Sequence, residues 1–237
     1  MMNHKLLLIN DLAGYGKVAL SSMIPVLSHM KYEIFSLPTA IVSNTLDYGK
    51  FDILDTTEYM KHTLDIWNQL GFTFDAISTG FIVSKEQTEL ITEFCKKKSE
   101  EGIKIFTDPI MGDEGKLYGG ISEETVELMR QLISVSDYTV PNYTEAAYLA
   151  GCDYHEEGVA EAELENIIEA LRKSQVPRSR IPTANVFSVM MTKRKNILKL
   201  ILKRSPSDFQ GQEIFSQLCS WEKYWLGAVC MKRQNEP

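Results

Sequence analysis

Three short segments hold the residue types that phosphate and metal chemistry uses. Asp108-Pro-Ile-Met-Gly-Asp-Glu-Gly115 places Asp108, Asp113 and Glu114 in one glycine-containing loop. Carboxylates grouped this way suit Mg2+, which takes oxygen ligands and keeps water or substrate phosphates in its shell; they also suit a solvated acidic turn. In Pro141-Asn-Tyr-Thr-Glu145, Asn142 and Glu145 stand at the spacing of a helix N-cap and its capping-box partner. That spacing also points both side chains, and free backbone N–H groups, at whatever lies above. Asp11-Leu-Ala-Gly-Tyr-Gly-Lys17 matches neither GxGxxG nor a Walker A pattern, so a loop admitting a flat substrate fits it better than a dinucleotide or P-loop site. Ser43-Asn-Thr45 and Tyr48 add hydrogen-bonding groups, and Phe81 offers a face for stacking.

The elements that must position these residues alternate along the first 170 positions. Strand-like runs at Lys5–Asn10, Glu33–Leu37, Ala76–Ser78, Ile103–Thr107 and Tyr138–Val140 separate helical patterns at Val18–Met30, Thr56–Leu70, from Ser84, from Ser122, at Thr144–Leu149 and at Ala160–Arg172. Ser84 with Gln87 reads as a capping box, and Ser122 caps a helix whose first turn carries Glu123 and Glu124. Ser43–Lys50 reads as a polar turn. Regular alternation of this kind predicts an α/β fold, a mostly parallel, doubly wound sheet with helices on both faces. Ligands then bind beyond the carboxyl ends of the strands. Those ends are Asn10-Asp11, Thr79-Gly80, Asp108-Pro109 and Pro141-Asn142.

At 237 residues, with 44% hydrophobic and 24% charged residues, the chain has the composition of a folded globular protein. No apolar run is long enough to cross a membrane, and Leu6–Ile9 is too short for a signal-peptide core. Cys95, Cys152, Cys219 and Cys230 show no CxxC pair and read as reduced thiols of a cytoplasmic protein. The net charge of −7 is unevenly divided. Residues 1–171 hold 12 Lys+Arg against 28 Asp+Glu, and residues 172–237 hold 13 against 4. A basic block can signal nucleic-acid binding, yet apart from its charge this one carries no recognisable binding motif, and neither a nucleic acid nor a membrane is the expected partner.

The segments INDLAGYGKVALSSMIPVLSHM, VSNTLDYGKF, ISTGFIVS, TDPIMGDEGKLY and VPNYTEAAYL, in this order, resemble the pyridoxal kinases of the ribokinase-like superfamily. The resemblance covers about residues 4–173. It implies ATP- and Mg2+-dependent phosphorylation of the hydroxymethyl group of pyridoxal, pyridoxine or pyridoxamine, on a ribokinase-like fold that is usually dimeric. Carried over by motif, Asp11 would meet the polar groups of the pyridine ring. Ser43, Asn44, Thr45 and Tyr48 would line the pocket and Phe81 would pack on the ring. Asp108, Asp113, Asn142 and Glu145 would serve the nucleotide phosphates, with Asp113 and Glu145 toward the metal. A hydroxymethylpyrimidine or sugar kinase of the same superfamily, and a B6-vitamer binding protein without catalysis, are the rival expectations.

The resemblance also implies a glycine-rich GTGD-like turn opening a helix, whose Asp would act as base toward the substrate hydroxyl. No such segment follows Arg172, so no catalytic residue is assigned. Gly211-Gln-Glu-Ile-Phe-Ser216, written GGA CAG GAG ATA TTT TCT and read from its third base, becomes Thr-Gly-Asp-Ile-Phe. Met190 and Met191, which have one codon each, both become Asp in that frame. A one-base shift near Lys173–Val176 therefore accounts for the lost motif and the missing acidic residues together. The expected organisation is a partial kinase core at 1–173, its C-terminal part incomplete, with an out-of-frame basic tail at 174–237.

Overall fold

The computed structural model of the protein describes residues 4–45, 48–118, 121–156 and 161–174, together with residues 187–188. Along these the chain runs β1 (Lys5–Ala13), α1 (Ala19–His29), β2 (Glu33–Val42), β3 (Ile53–Asp55), α2 (Thr57–Gln69), β4 (Ala76–Thr79) and α3 (Lys85–Glu100). It continues through β5 (Lys104–Thr107), β6 (Gly112–Asp113), β7 (Lys116–Leu117), α4 (Glu123–Ser134), β8 (Tyr138–Thr139), α5 (Tyr143–Ala150), α6 (Glu161–Ser174) and β9 (Phe187–Ser188). Beyond β9, the expected out-of-frame tail, including Met190, Met191 and Gly211–Ser216, lies outside the described residues, as do Cys219 and Cys230.

The main sheet has the order β3-β2-β1-β4-β5-β8-β9, and every pairing is parallel except β2 with β3. Leu6–Ile9 is continuously apolar because β1 lies between two parallel neighbours with both faces covered. Leu7 and Ile9 join Ile77 and Ile105 in a core closed by Met60 of α2, Ile91 and Cys95 of α3, Met129 and Leu132 of α4, Ala146 of α5 and Ile167 of α6. By strand alternation, Leu6 and Leu8 turn to the other face, where α1 packs on β1 and buries Leu20, Met23 and Leu27 at helical spacing. The expected α/β sheet with helices on both faces is the observed architecture.

The chain leaves β1 for β2 on one side and crosses to β4 on the other, so the strand order reverses between β1 and β4. A crevice at the carboxyl ends of those two strands is the binding place that such topology creates.

Several boundaries differ from the sequence reading. β1 continues through Asp11 to Ala13 by a register shift between Asn10 and Leu12, so Asp11 stands in a strand and not in the glycine loop. β2 continues past Pro38 to Val42 and gains the antiparallel edge strand β3. The acidic segment after Asp108 folds in part as a hairpin, with Glu114 and Gly115 both at positive φ between the paired Asp113 and Lys116. That is the geometry of a two-residue type I′ connection. Ser84 accepts from the Gln87 N–H, but the reciprocal half of the box is missing. The Gln87 amide accepts from Val83 N–H and donates to the Thr39 carbonyl and to Asp55.

Candidate active site

The parallel strands β2, β1, β4, β5 and β8 end in neighbouring positions on one edge. In that order they deliver Ser43–Thr45, Asp11, Phe81, Asp108 and Asn142. With about 4.8 Å between strands, β1 and β8 lie three spacings apart, about 14 Å across the sheet. The ladder carries past the strands themselves: Gly80 N–H donates to Ile9 O, Asp108 N–H to Thr79 O, and Val140 N–H to Thr107 O. Below the edge runs a buried hydroxyl chain, Thr79 to Thr107 at 3.1 Å and Thr107 to Ser136 at 2.6 Å.

On the β1 side, the Asp11 carboxyl is raised from 3.8 to about 6 by burial, with its own backbone N–H opposing the shift. Phe81 is half-buried; its N–H reaches the Asn10 side-chain oxygen at 2.8 Å and its carbonyl accepts from Thr39 Oγ1 at 2.7 Å. Ser43 and Asn44 are engaged within their own turn. Ser43 Oγ accepts from Asp52 N–H and donates to Asn44 Oδ1, while Asn44 Nδ2 donates to the carbonyls of Thr45 and Lys50. Their side chains shape the turn that carries Thr45 and Tyr48. A Cβ on Gly16 would stand 2.8 Å from Thr45 Cγ2, so the glycine loop lies directly against Thr45. Tyr48 is exposed and packs edge-on against Tyr15.

On the β5–β8 side, Asn142 and Glu145 form the full capping box of α5: Asn142 Oδ1 accepts from Glu145 N–H at 3.0 Å, and Glu145 Oε2 accepts from Asn142 N–H at 2.8 Å. Both also fasten the preceding loop. Met111 N–H donates to Glu145 Oε1, Asn142 Nδ2 donates to Gly112 O, and Gly115 N–H donates to Thr144 Oγ1. The capping reading of this motif is the observed one. Glu145 is 3% exposed, and burial together with the charge of Asp108 pushes its carboxyl well up, against backbone N–H groups that lower it. Burial raises Asp108 to about 7. Asp113 lies in β6, its Oδ1 accepting from Glu114 N–H at 2.9 Å.

A carboxylate pair, Glu145 buried and Asp108 half-buried, with no Lys or Arg bonded to it among the described residues, is a donor set that a divalent cation completes. Among the described residues no group of three or more His, Cys, Asp or Glu is placed to hold a metal by protein ligands alone. Mg2+ fits that condition, since it commonly uses one or two carboxylates plus phosphates and water. Two surface concavities lie elsewhere: one of about 370 Å3 beside Gly115, Tyr148 and Tyr154, and one of about 360 Å3 beside Leu54, Thr57 and Glu86. Neither is lined by Asp11, Phe81, Asp108 or Asn142. The sequence marked Asn10 only as a strand end and gave Thr144 no role, yet both bond to the backbone at this edge. The signal for Asn10 was a polar residue closing the apolar run Leu6–Ile9.

Comparison with known proteins agrees with this geometry. The profile of the phosphomethylpyrimidine kinase family matches residues 14–200. A pyridoxal kinase from Dictyostelium discoideum is 27% identical over 158 residues, covering 63% of this chain and 51% of that protein. A crystal structure from Bacteroides thetaiotaomicron, assigned to the phosphomethylpyrimidine kinases and containing pyridoxal, is 32% identical with a TM-score of 0.72. It is covered over 80% of this chain and 63% of its own. The pyridoxal kinase of Lactobacillus plantarum is 29% identical with a TM-score of 0.70, over 81% of this chain and 65% of that one. The chain spans about half the length of the curated relatives it matches. With its sheet order and a profile match over most of its length in agreement, the chain belongs to the phosphomethylpyrimidine kinase family and has the ribokinase-like kinase fold.

Proposed function

We propose that this chain carries the substrate side of a kinase that transfers the γ-phosphoryl group of ATP to the hydroxymethyl group of pyridoxal, pyridoxine or pyridoxamine. One observation carries the reading: Thr45, Phe81, Asp108 and the Asn142–Glu145 cap follow the ends of neighbouring strands along one edge, with Asp11 near the end of β1 beside the β1–β4 switch point. The pyridoxal-containing relative and the pyridoxal kinases of matching fold support the choice of substrate.

In this reading Phe81 packs on the pyridine ring and Asp11 bonds its polar groups, with Thr45 and Tyr48 closing the side toward β2. A carboxyl near 6 lets Asp11 act as donor or acceptor close to neutrality. Glu145, with Asp108 beside it, and Asp113 of the adjoining hairpin would hold Mg2+, Asp108 facing the phosphates. Mg2+ supplies charge neutralisation on the transferring phosphoryl group, the main requirement of this chemistry. The α5 N-terminus, whose cap ties down Met111 and Gly112, keeps these carboxyls in place.

The organisation into a kinase core at 1–173 and an out-of-frame tail at 174–237 belongs to the same proposal. It is supported by the reversal of charge after residue 171 and by the GTGD-type turn recovered in the second frame; the family match, by comparison, runs on to residue 200. Assaying the chain beside a one-base-corrected version tests both parts. The account expects vitamer phosphorylation by the corrected protein and negligible turnover by the 237-residue chain. Equal turnover by both sinks the shifted frame, and a corrected protein without vitamer kinase activity sinks the function. The family profile favours hydroxymethylpyrimidine as the second candidate alcohol, and competition between the two alcohols in the corrected protein separates them. A homodimer completes the reading, supported by Ile41 and Leu54, which face each other across β2 and β3 while 45% and 60% exposed.

A further inference from the structure

Asn10 sits where β1 and β4 part, 7% exposed. It continues the β1 face of Leu6 and Leu8, and its Nδ2 meets Met23 Sδ of α1 at 3.7 Å. Its single side-chain oxygen receives two backbone N–H groups, one in β1 and one just past β4: Asp11 N–H at 3.0 Å and Phe81 N–H at 2.8 Å. These belong to the two residues assigned to the substrate ring. Gly80, between β4 and Phe81, presses against the same amide. A Cβ there would stand 2.3 Å from Asn10 Nδ2, 2.5 Å from Cγ and 2.7 Å from Oδ1. The two backbones can be tied by one carboxamide only because position 80 has no side chain.

We infer that Asn10 is a positioning residue for the substrate ring, its carboxamide oxygen fixing the spacing between the Asp11 carboxyl and the Phe81 ring across the switch point, with Gly80 as its obligatory partner. The inference rests on the proposed vitamer site. It follows from geometry that neither residue could set alone. The bulge that turns Asp11 out of register begins at Asn10, and Phe81 leaves the end of β4 without a strand partner of its own. Without the shared acceptor, each N–H loses a buried bond and the two strand ends are free to separate. A shift of about 1 Å at a binding constellation is enough to lose much of its effect.

The test is pyridoxal titration of the full chain, with the melting midpoint recorded for every protein. Asn10→Asp keeps both shape and acceptor and should hold the dissociation constant within about threefold. Asn10→Leu keeps the shape alone and should weaken binding by about tenfold or more, the equivalent of one lost good hydrogen bond. Gly80→Ala should lower both affinity and melting midpoint. Adding Asn10→Ala to it removes the amide that the new methyl strikes, so the double variant should regain melting midpoint while its affinity stays weak. Stability and affinity then separate, which a purely structural role does not allow. Affinity that simply follows the melting midpoint across the set, or an Asn10→Leu protein that binds like wild type, overturns the inference. If Asn10→Leu does not fold, the Gly80→Ala and double variants decide. Wild-type protein that does not bind pyridoxal refutes the functional reading instead, so the two failures are told apart.

Discussion

Asp108→Asn tests the electrostatics of the carboxylate pair. An unfolded Asp titrates near 3.9, whereas burial holds Asp108 at about 7 in the fold. Between those values the folded protein binds more protons than the unfolded chain, so stability must fall as pH rises. The group's contribution is fully present below about 4 and is lost once pH passes about 7. The slope approaches about 1.36 kcal/mol per pH unit between those values and weakens near pH 7, so the loss from pH 5 to pH 7 is on the order of 2 kcal/mol. Water reaching the half-buried side chain keeps it from being larger. Asn cannot ionise and lacks the slope. Urea unfolding at pH 5, 6, 7 and 8 should therefore show wild type losing about 2 kcal/mol relative to Asp108→Asn across the range. Millimolar Mg2+ should flatten the wild-type profile, because a cation favours the ionised pair. A difference between the two proteins that stays within about 0.5 kcal/mol from pH 5 to pH 8 refutes the reasoning.

Other perturbations separate the parts of the edge. Asn142→Ala removes a cap acceptor and the bond to Gly112 O, and thermal unfolding should show a loss of about 1–3 kcal/mol. Gly112→Ala drives a Cβ to 2.3 Å from Lys116 O. Either the β6–β7 hairpin opens or the protein loses about 2 kcal/mol or more, which urea unfolding with hydrogen exchange over 108–118 will show. Pyridoxal affinity should change between pH 5 and pH 7 as Asp11 titrates near 6, strengthening as the carboxylate forms, and Asp11→Asn should remove that part of the profile in the same titration. Burial pushes the Cys95 thiol up to about 12, so alkylation followed by mass spectrometry should find exposed Cys152 modified in the native protein and Cys95 only after unfolding.

The sheet was legible because its central strands are buried on both faces, and uninterrupted apolar runs such as Leu6–Ile9 need no partner to be recognised. Their ends were harder to read. β2 looked finished at Leu37 because Pro38 cannot donate to a ladder. In the fold, Pro38 stands opposite Asn10, immediately before the bulge, and its carbonyl accepts from Thr56. Asp11 was placed in a loop because the apolar run ends at Ile9 and Gly14 and Gly16 follow closely, whereas the bulge carries β1 on to Ala13. β3, β6 and β7 span two or three residues and leave no period to detect. Gln87 has the spacing of a capping residue, but its amide is taken by Thr39, 48 positions away, a contact that local sequence does not encode. The site itself was readable as a set of polar strand ends. What could not be read was which side chains are spent on the protein's own backbone, as Ser43, Asn44 and Asn10 are, because that depends on how strand ends from distant parts of the chain are juxtaposed.

Hydrogen exchange of the full chain with and without pyridoxal locates the ligand most directly. Binding at the carboxyl edge predicts slowed exchange in residues 10–17, 43–45 and 80–83, three segments far apart in sequence, with little change along the outer faces of α2 and α3. Protection confined to the Leu54–Tyr59 concavity, or no protection at saturating pyridoxal, contradicts a substrate site at the β1–β4 switch point.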